Sequence, residues 1–150
     1  MPKEPSESGA SERNAARSQG PAAEAHTIHL ATRKGNLPAV RRMLERGSPF
    51  DERTLESRKT PLHVAAQFGQ LSAIKCLMEF KADLEARTVF NRTPLHLAAA
   101  QGHIVVVEHL LDCKADATAR TPDGETPLDL CRKYGYKEVE TLLQRRAGLS

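Results

Sequence analysis

The phrase TPLHVAAQFGQ begins at Thr60, returns as TPLHLAAAQGH at Thr93, and returns again as TPLDLCRKYGY at Thr126. Each copy starts 33 residues after the last, and Gly35, Gly69, Gly102 and Gly135 mark one point per unit at spacings of 34, 33 and 33. A fixed period of this size constrains the fold more than any other feature. It specifies supersecondary units that cannot bury an apolar face alone and must stack to do so.

The chemistry inside one period gives its shape. Thr93 is placed to cap a helix, its hydroxyl accepting from a free N–H of the first turn. Pro94 then falls at the first helical position, where its fixed φ suits the helix and its missing N–H costs nothing. Leu95, Ala98 and Ala99 follow at helical spacing, and the alanines allow a neighbouring helix to approach closely. Gly102 ends this short helix in a left-handed turn. IVVVEHLLD then reads as a second, amphipathic helix with Ile104, Val107 and Leu111 on one face. CKADATARTPDGE carries turn chemistry, clearest at Pro122-Asp123-Gly124. Thr60, Pro61 and Gly69, and Thr126, Pro127 and Gly135, repeat the same start and stop signals. Each unit is therefore helix, turn, helix and projecting loop.

With TPLHVAA and TPLHLAA complete, TPLDLC partial and HTIHLAT keeping only Ile, His and Ala, the chain resembles four ankyrin repeats. The resemblance implies an all-α solenoid over 26–150 with projecting β-turn loops, the repeats running over 26–54, 55–87, 88–120 and 121–146. It also implies that His63 and His96 act as brackets, bonding to backbone and Thr within and between repeats. Asp129 stands where a third bracket would be. Glu140 replaces the apolar Ile74 and Val107, and Arg42 stands where the next unit has Cys76. Polar residues on an outer face are what terminal units need, so the expectation is a complete stack capped at both ends, and a monomer. Two departures from the family pattern are Lys81 and Lys114, at positions where the resemblance implies glycine. A third is the first loop, GSPFDERTLESRK, which is one residue longer than the others, lacks the usual turn glycine and leaves its conformation open.

Residues 1–25 hold no bulky apolar side chain after Met1 and read as a flexible tail. The whole chain is 39% hydrophobic but has six aromatics and no Trp, which suits close-packed Leu, Ala and Val helices. The three cysteines, Cys76, Cys113 and Cys131, are irregularly spaced, which reads as reduced thiols in an intracellular protein, cytoplasmic or nuclear. The start carries no apolar h-region of a secretory signal, and no apolar run approaches the roughly 18–20 residues of a membrane span.

Catalytic and metal constellations are missing from the pattern. His109 and Cys113 lie four apart, but two ligands do not make a zinc site. His63 and His96 belong to the repeat, and Cys76 and Cys131 fall at core positions where burial makes a thiol inert. No nucleotide-binding or hydrolase motif occurs. The reading is a non-enzyme with no cofactor and no small-molecule substrate.

Surface remains. The resemblance places binding residues on the loop tips and on the pair before each mid-repeat glycine: Arg33-Lys34, Gln67-Phe68, Ala100-Gln101 and Lys133-Tyr134. The loops add Arg53, Lys59, Val89, Phe90, Arg92, Arg120, Asp123 and Glu125. Aromatics and Arg are the types that anchor interfaces, and Phe68, Phe90 and Tyr134 fall on this face. Arg33, Lys34, Arg92 and Lys133 have no acid beside them in sequence, which points to an acidic partner segment. The expected function is a non-catalytic protein-binding module, an adaptor or scaffold. Two alternatives accompany it: an ankyrin-type inhibitor of a kinase or other signalling protein, resting on length and repeat number, and nucleic-acid binding, weakened by the acids among the loop bases. Arg41, Arg42, Arg46, Arg145 and Arg146 read as solvated helix faces.

Overall fold

A computed structural model of the chain describes residues 28–148. The expected tail, residues 1–25, lies outside the described residues. Among the described residues, eight helices form four pairs: α1 (28–33) with α2 (Leu37–Glu45), α3 (Pro61–Gln67) with α4 (Leu71–Glu79), α5 (Pro94–Ala100) with α6 (Ile104–Asp112), and α7 (Pro127–Lys133) with α8 (Lys137–Arg146). No strand occurs among the described residues. The first helices stack α3 on α5 on α7, and the second helices stack α2 on α4 on α6 on α8. The all-α solenoid implied by the resemblance is the observed architecture.

The first helices α3, α5 and α7 start as their sequence requires. Thr60, Thr93 and Thr126 are extended caps whose hydroxyls accept from the backbone N–H three residues on, with Pro at the first helical position. The residue three after each Thr returns the bond: Nδ1 of His63 and of His96 accepts from the Thr backbone N–H at 3.1 and 3.2 Å, and Asp129 Oδ2 does so at 3.0 Å. A reciprocal cap of this kind satisfies two orphan donors at once.

Accepting at Nδ1 leaves the imidazole proton on Nε2, and that proton reaches the next unit. His29 Nε2 donates to the Lys59 carbonyl at 2.8 Å, His63 Nε2 to those of Ala86 and Arg92 at 2.8 and 3.1 Å, and His96 Nε2 to that of Glu125 at 3.0 Å. The bracket role implied by the resemblance is the observed one, and the first unit shares it. His63 and His96 are fully buried. Burial outweighs their carbonyl bonds, lowering His96 and pulling His63 down to about 4.

Two further stitches recur with the period. Arg53 donates to the Arg87 carbonyl at 2.9 Å, and Arg87 donates to the Arg120 carbonyl at 2.9 Å. The side chain after each mid-unit glycine folds back over the glycine of the preceding unit. A Cβ on Gly35 would stand 2.6 Å from Gln70, one on Gly69 2.8 Å from His103, and one on Gly102 2.4 Å from Tyr136. Gln70 and His103 also bond the carbonyls of Arg33 and Gln67 at 3.1 and 2.9 Å. These glycines therefore meet two demands, a positive φ and a neighbour at contact distance.

The core is a strip of Leu, Ile, Val and Ala between the two helix layers, with Ile28, Leu62, Ile74, Leu77, Leu95, Leu110 and Leu143 nearly or fully excluded from water. Cys76 and Cys131 lie in it, and burial raises both thiols, Cys131 to about 11. At the ends of α4 and α6, Lys81 and Lys114 adopt φ of 67° and 75°, the left-handed conformation that glycine would take more cheaply. Gly47 holds the same place after α2. The extra residue of the first loop is absorbed between Thr54 and Lys59. The backbone N–H of Thr54 reaches the Lys59 carbonyl there, where the next loop closes from Thr88 to Arg92. Arg58 takes the left-handed turn position held later by Asn91 and Gly124.

The arginines read as solvated faces are in part staples. Arg41 of α2 pairs with Glu79 of α4 at 3.2 Å, and Arg146 of α8 pairs with Asp112 of α6. Glu140, which replaces Ile74 and Val107, is held by Arg132 at 2.9 Å and by Lys137, and its carboxyl is lowered as a result.

Candidate binding face

The side of the stack built from the first helices and loop tips is recessed. A concavity of about 260 Å³ lies between α1 and α3, lined by His29, Leu30, Arg33, Lys59, Val64, Gln67 and Phe68. A second, of about 350 Å³, runs from the first loop across α3 and α5 to Tyr134 and Tyr136. A third, of about 250 Å³, sits between the second and third loops. Lys59 and Gln67 line the first two, and Phe90 and Arg92 line the last two, so the three adjoin.

The repeat explains this relief. Leu30, Val64 and Leu97 occupy one register of the first helices, and their small or apolar neighbours leave a floor where Leu97 and Ala100 are each only 8% exposed. Aromatic rings rise around it. Phe68 is 41% exposed, Phe90 73%, Tyr134 50% and Tyr136 37%.

Of the residues expected on this face, Arg33, Lys59, Gln67, Phe68, Val89, Phe90, Arg92, Gln101 and Tyr134 line one of the concavities. Lys34 and Lys133 line none of the three. Lys133 stands over the Tyr134 ring at 5.8 Å, and Arg33 lies over Phe68 at 5.1 Å, both cation–π contacts. Sequence reasoning missed Leu30, Leu97 and Tyr136. The first two were findable from their shared register, and Tyr136 from its place immediately after Gly135.

The charge pattern corrects the expectation of unmatched bases at Arg92 and Lys133. Glu125 lies 3.8 Å from both Arg92 and Lys133, so these two share one carboxylate from another loop. Arg53 is engaged with the Arg87 carbonyl. Lys59 is different: its Nζ donates to Gln67 Oε1 at 2.7 Å, and no described carboxylate lies within ion-pair distance of it. Partial burial lowers its ammonium from the usual lysine range.

Cys113 Sγ lies 3.6 Å from His109 Nε2, a pair on one helix face. No group of three or more His, Cys, Asp or Glu could hold a metal among the described residues. No described helix is long and apolar enough to cross a membrane.

Comparison with known proteins agrees with this architecture. Segments of this chain are similar to the serine/threonine-protein kinase VIK of Arabidopsis thaliana, 37% identical over 54 residues, and to the ARF GTPase-activating protein Git of Drosophila melanogaster, 39% identical over 59 residues. These matches cover 36% and 39% of this chain but only 12% and 8% of the relatives, so they describe a shared segment. A family model for ankyrin repeats in three copies matches residues 28–121 and again 84–149. On that match, and on the stacked helix pairs, the chain belongs to the ankyrin-repeat family.

Proposed function

We propose that the chain is a non-catalytic protein-binding module of intracellular proteins, with the ankyrin domain spanning 26–150. Its recessed face would receive an acidic segment of a partner protein. The observation that carries this reading is the row of adjoining concavities, rimmed by Phe68, Phe90, Tyr134 and Tyr136 and crossed by Arg33 and Lys59. Ankyrin repeats imply protein–protein interaction. A preformed stack adds little ordering cost to association, because the face already exists before the partner arrives.

Affinity capture from a cell lysate tests it, using the full chain beside two variants. One variant carries Phe68→Ala, Phe90→Ala and Tyr134→Ala. The other carries Val105→Ser, an exposed position on α6. The expected result is a protein retained by the chain and by Val105→Ser but lost from the triple variant. Retention by the triple variant and loss from Val105→Ser would overturn the assignment of the face.

A further inference from the structure

We propose that Lys59 is the anchor for a side-chain carboxylate of an extended acidic segment. An apolar side chain of the same segment would rest on Leu97 and Ala100 beside Phe90 and Tyr134. This rests on the reading of the recessed face as the docking surface, and it names the chemistry of the occupant.

The argument is one of uncompensated charge. Three cations line the concavities: Arg92 shares Glu125 with Lys133, Arg33 lies over the Phe68 ring, and Lys59 is the third. Lys59 has a neutral amide, Gln67, and lies where the first two concavities meet. A partly buried cation with no counter-ion is in an unfavourable state that an arriving carboxylate relieves. Partial burial has already lowered the ammonium, which agrees with a site short of negative charge. The Gln67 bond holds Nζ in place, so less side-chain freedom remains to be lost.

A carboxylate fits better than a phosphate. Lys59 offers a single ammonium. Of the two guanidiniums that share its concavities, Arg92 faces Glu125 and Arg33 lies over the Phe68 ring, so a dianion would have to draw one of them away. Nucleic acid fits worse again, because Asp123 lines the adjoining concavity and repels a chain charged at every step more than a segment with one anchoring acid. The floor of Leu97 and Ala100 asks for an apolar side chain, and the trough needs a segment thin enough to enter it.

The test is selection of random dodecapeptides displayed on phage against the full chain, with Lys59→Met and Lys59→Arg beside it. Neither substitution touches the Lys59 backbone groups that bond His29 and Thr54, and thermal melting checks both folds. Peptides selected on the full chain are expected to carry Asp or Glu at a fixed offset from a bulky apolar residue. One such peptide should bind Lys59→Met roughly tenfold more weakly, the scale of one charge-assisted contact. Lys59→Arg should retain most of the affinity. Replacing the acid of the peptide by its amide should cost the chain the same factor and cost Lys59→Met nothing. Peptides lost with Phe90→Ala but indifferent to Lys59→Met would overturn this inference and leave the docking face standing. Peptides indifferent to both Phe90→Ala and Tyr134→Ala would overturn the face itself. Displacement by inorganic phosphate well beyond that by chloride at equal ionic strength would make phosphate the anion and refute the carboxylate.

Discussion

His96 and Asp129 hold the same place in consecutive units, yet one is fully buried and the other exposed. Both cap their helix through the preceding Thr. Only His96 also has a loop of a following unit to bond, at the Glu125 carbonyl. The glycines repeat the contrast: a Cβ on Gly102 would collide with Tyr136, while one on Gly135 would meet nothing within 4 Å. The difference teaches that each periodic residue has two jobs, one inside its unit and one toward the next. Where no unit follows among the described residues, only the first job constrains the residue.

Exchanging the two residues breaks this comparison most severely. His96→Asp should lose the bond to Glu125 and bury a carboxylate, at about 3–5 kcal/mol of stability in urea unfolding. Asp129→His should change stability by less than about 0.5 kcal/mol, since an exposed site tolerates substitution. Equal effects at both places would mean that the bond between units contributes little.

Acid reads the same brackets together. An imidazole titrates near 6.5 in the unfolded chain, while folded His63 is lowered to about 4. Between those values the unfolded chain binds more protons. Stability from this group is therefore full above about pH 6.5 and is lost as the pH falls toward about 4, by about 3 kcal/mol. Unfolding midpoints measured across that window should fall, and His63→Gln should flatten the dependence.

Alanine at the two glycines sharpens the contrast further. Gly102→Ala must accommodate both the positive φ and Tyr136, about 2–3 kcal/mol, whereas Gly135→Ala faces the φ strain alone, about 1 kcal/mol. The smallest effect concerns a residue that departs from the pattern. Lys114→Gly should raise stability by about 1 kcal/mol, because φ there is 75° and glycine carries no strain at that value. An unchanged melting temperature would mean that the lysine charge at the helix end offsets the strain fully.

The fold was legible because its signals are local and recur. Thr-Pro starts, glycine stops and apolar spacing are written inside one period, and the bracket histidines came with the family resemblance. The stitches between units were legible in principle as well, since Arg53 and Arg87, and Gln70, His103 and Tyr136, share the period. They were missed because Arg53 on a loop reads equally well as a binding residue until its carbonyl partner is seen. The face was harder. Glu125 lies between Arg92 and Lys133 and offsets one of their two charges, a meeting that sequence spacing does not show. The isolation of Lys59 is a property of what surrounds it in space, so only the folded chain reveals it.

Hydrogen exchange on the full chain, alone and with the protein that affinity capture identifies, tests the central claim most directly. The account predicts slowed exchange at the loop amides of 54–59, 88–92 and 121–125 and along α3, α5 and α7, with the amides of α2, α4, α6 and α8 unchanged. Protection confined to those second helices would place the partner on the opposite side of the stack and contradict the account.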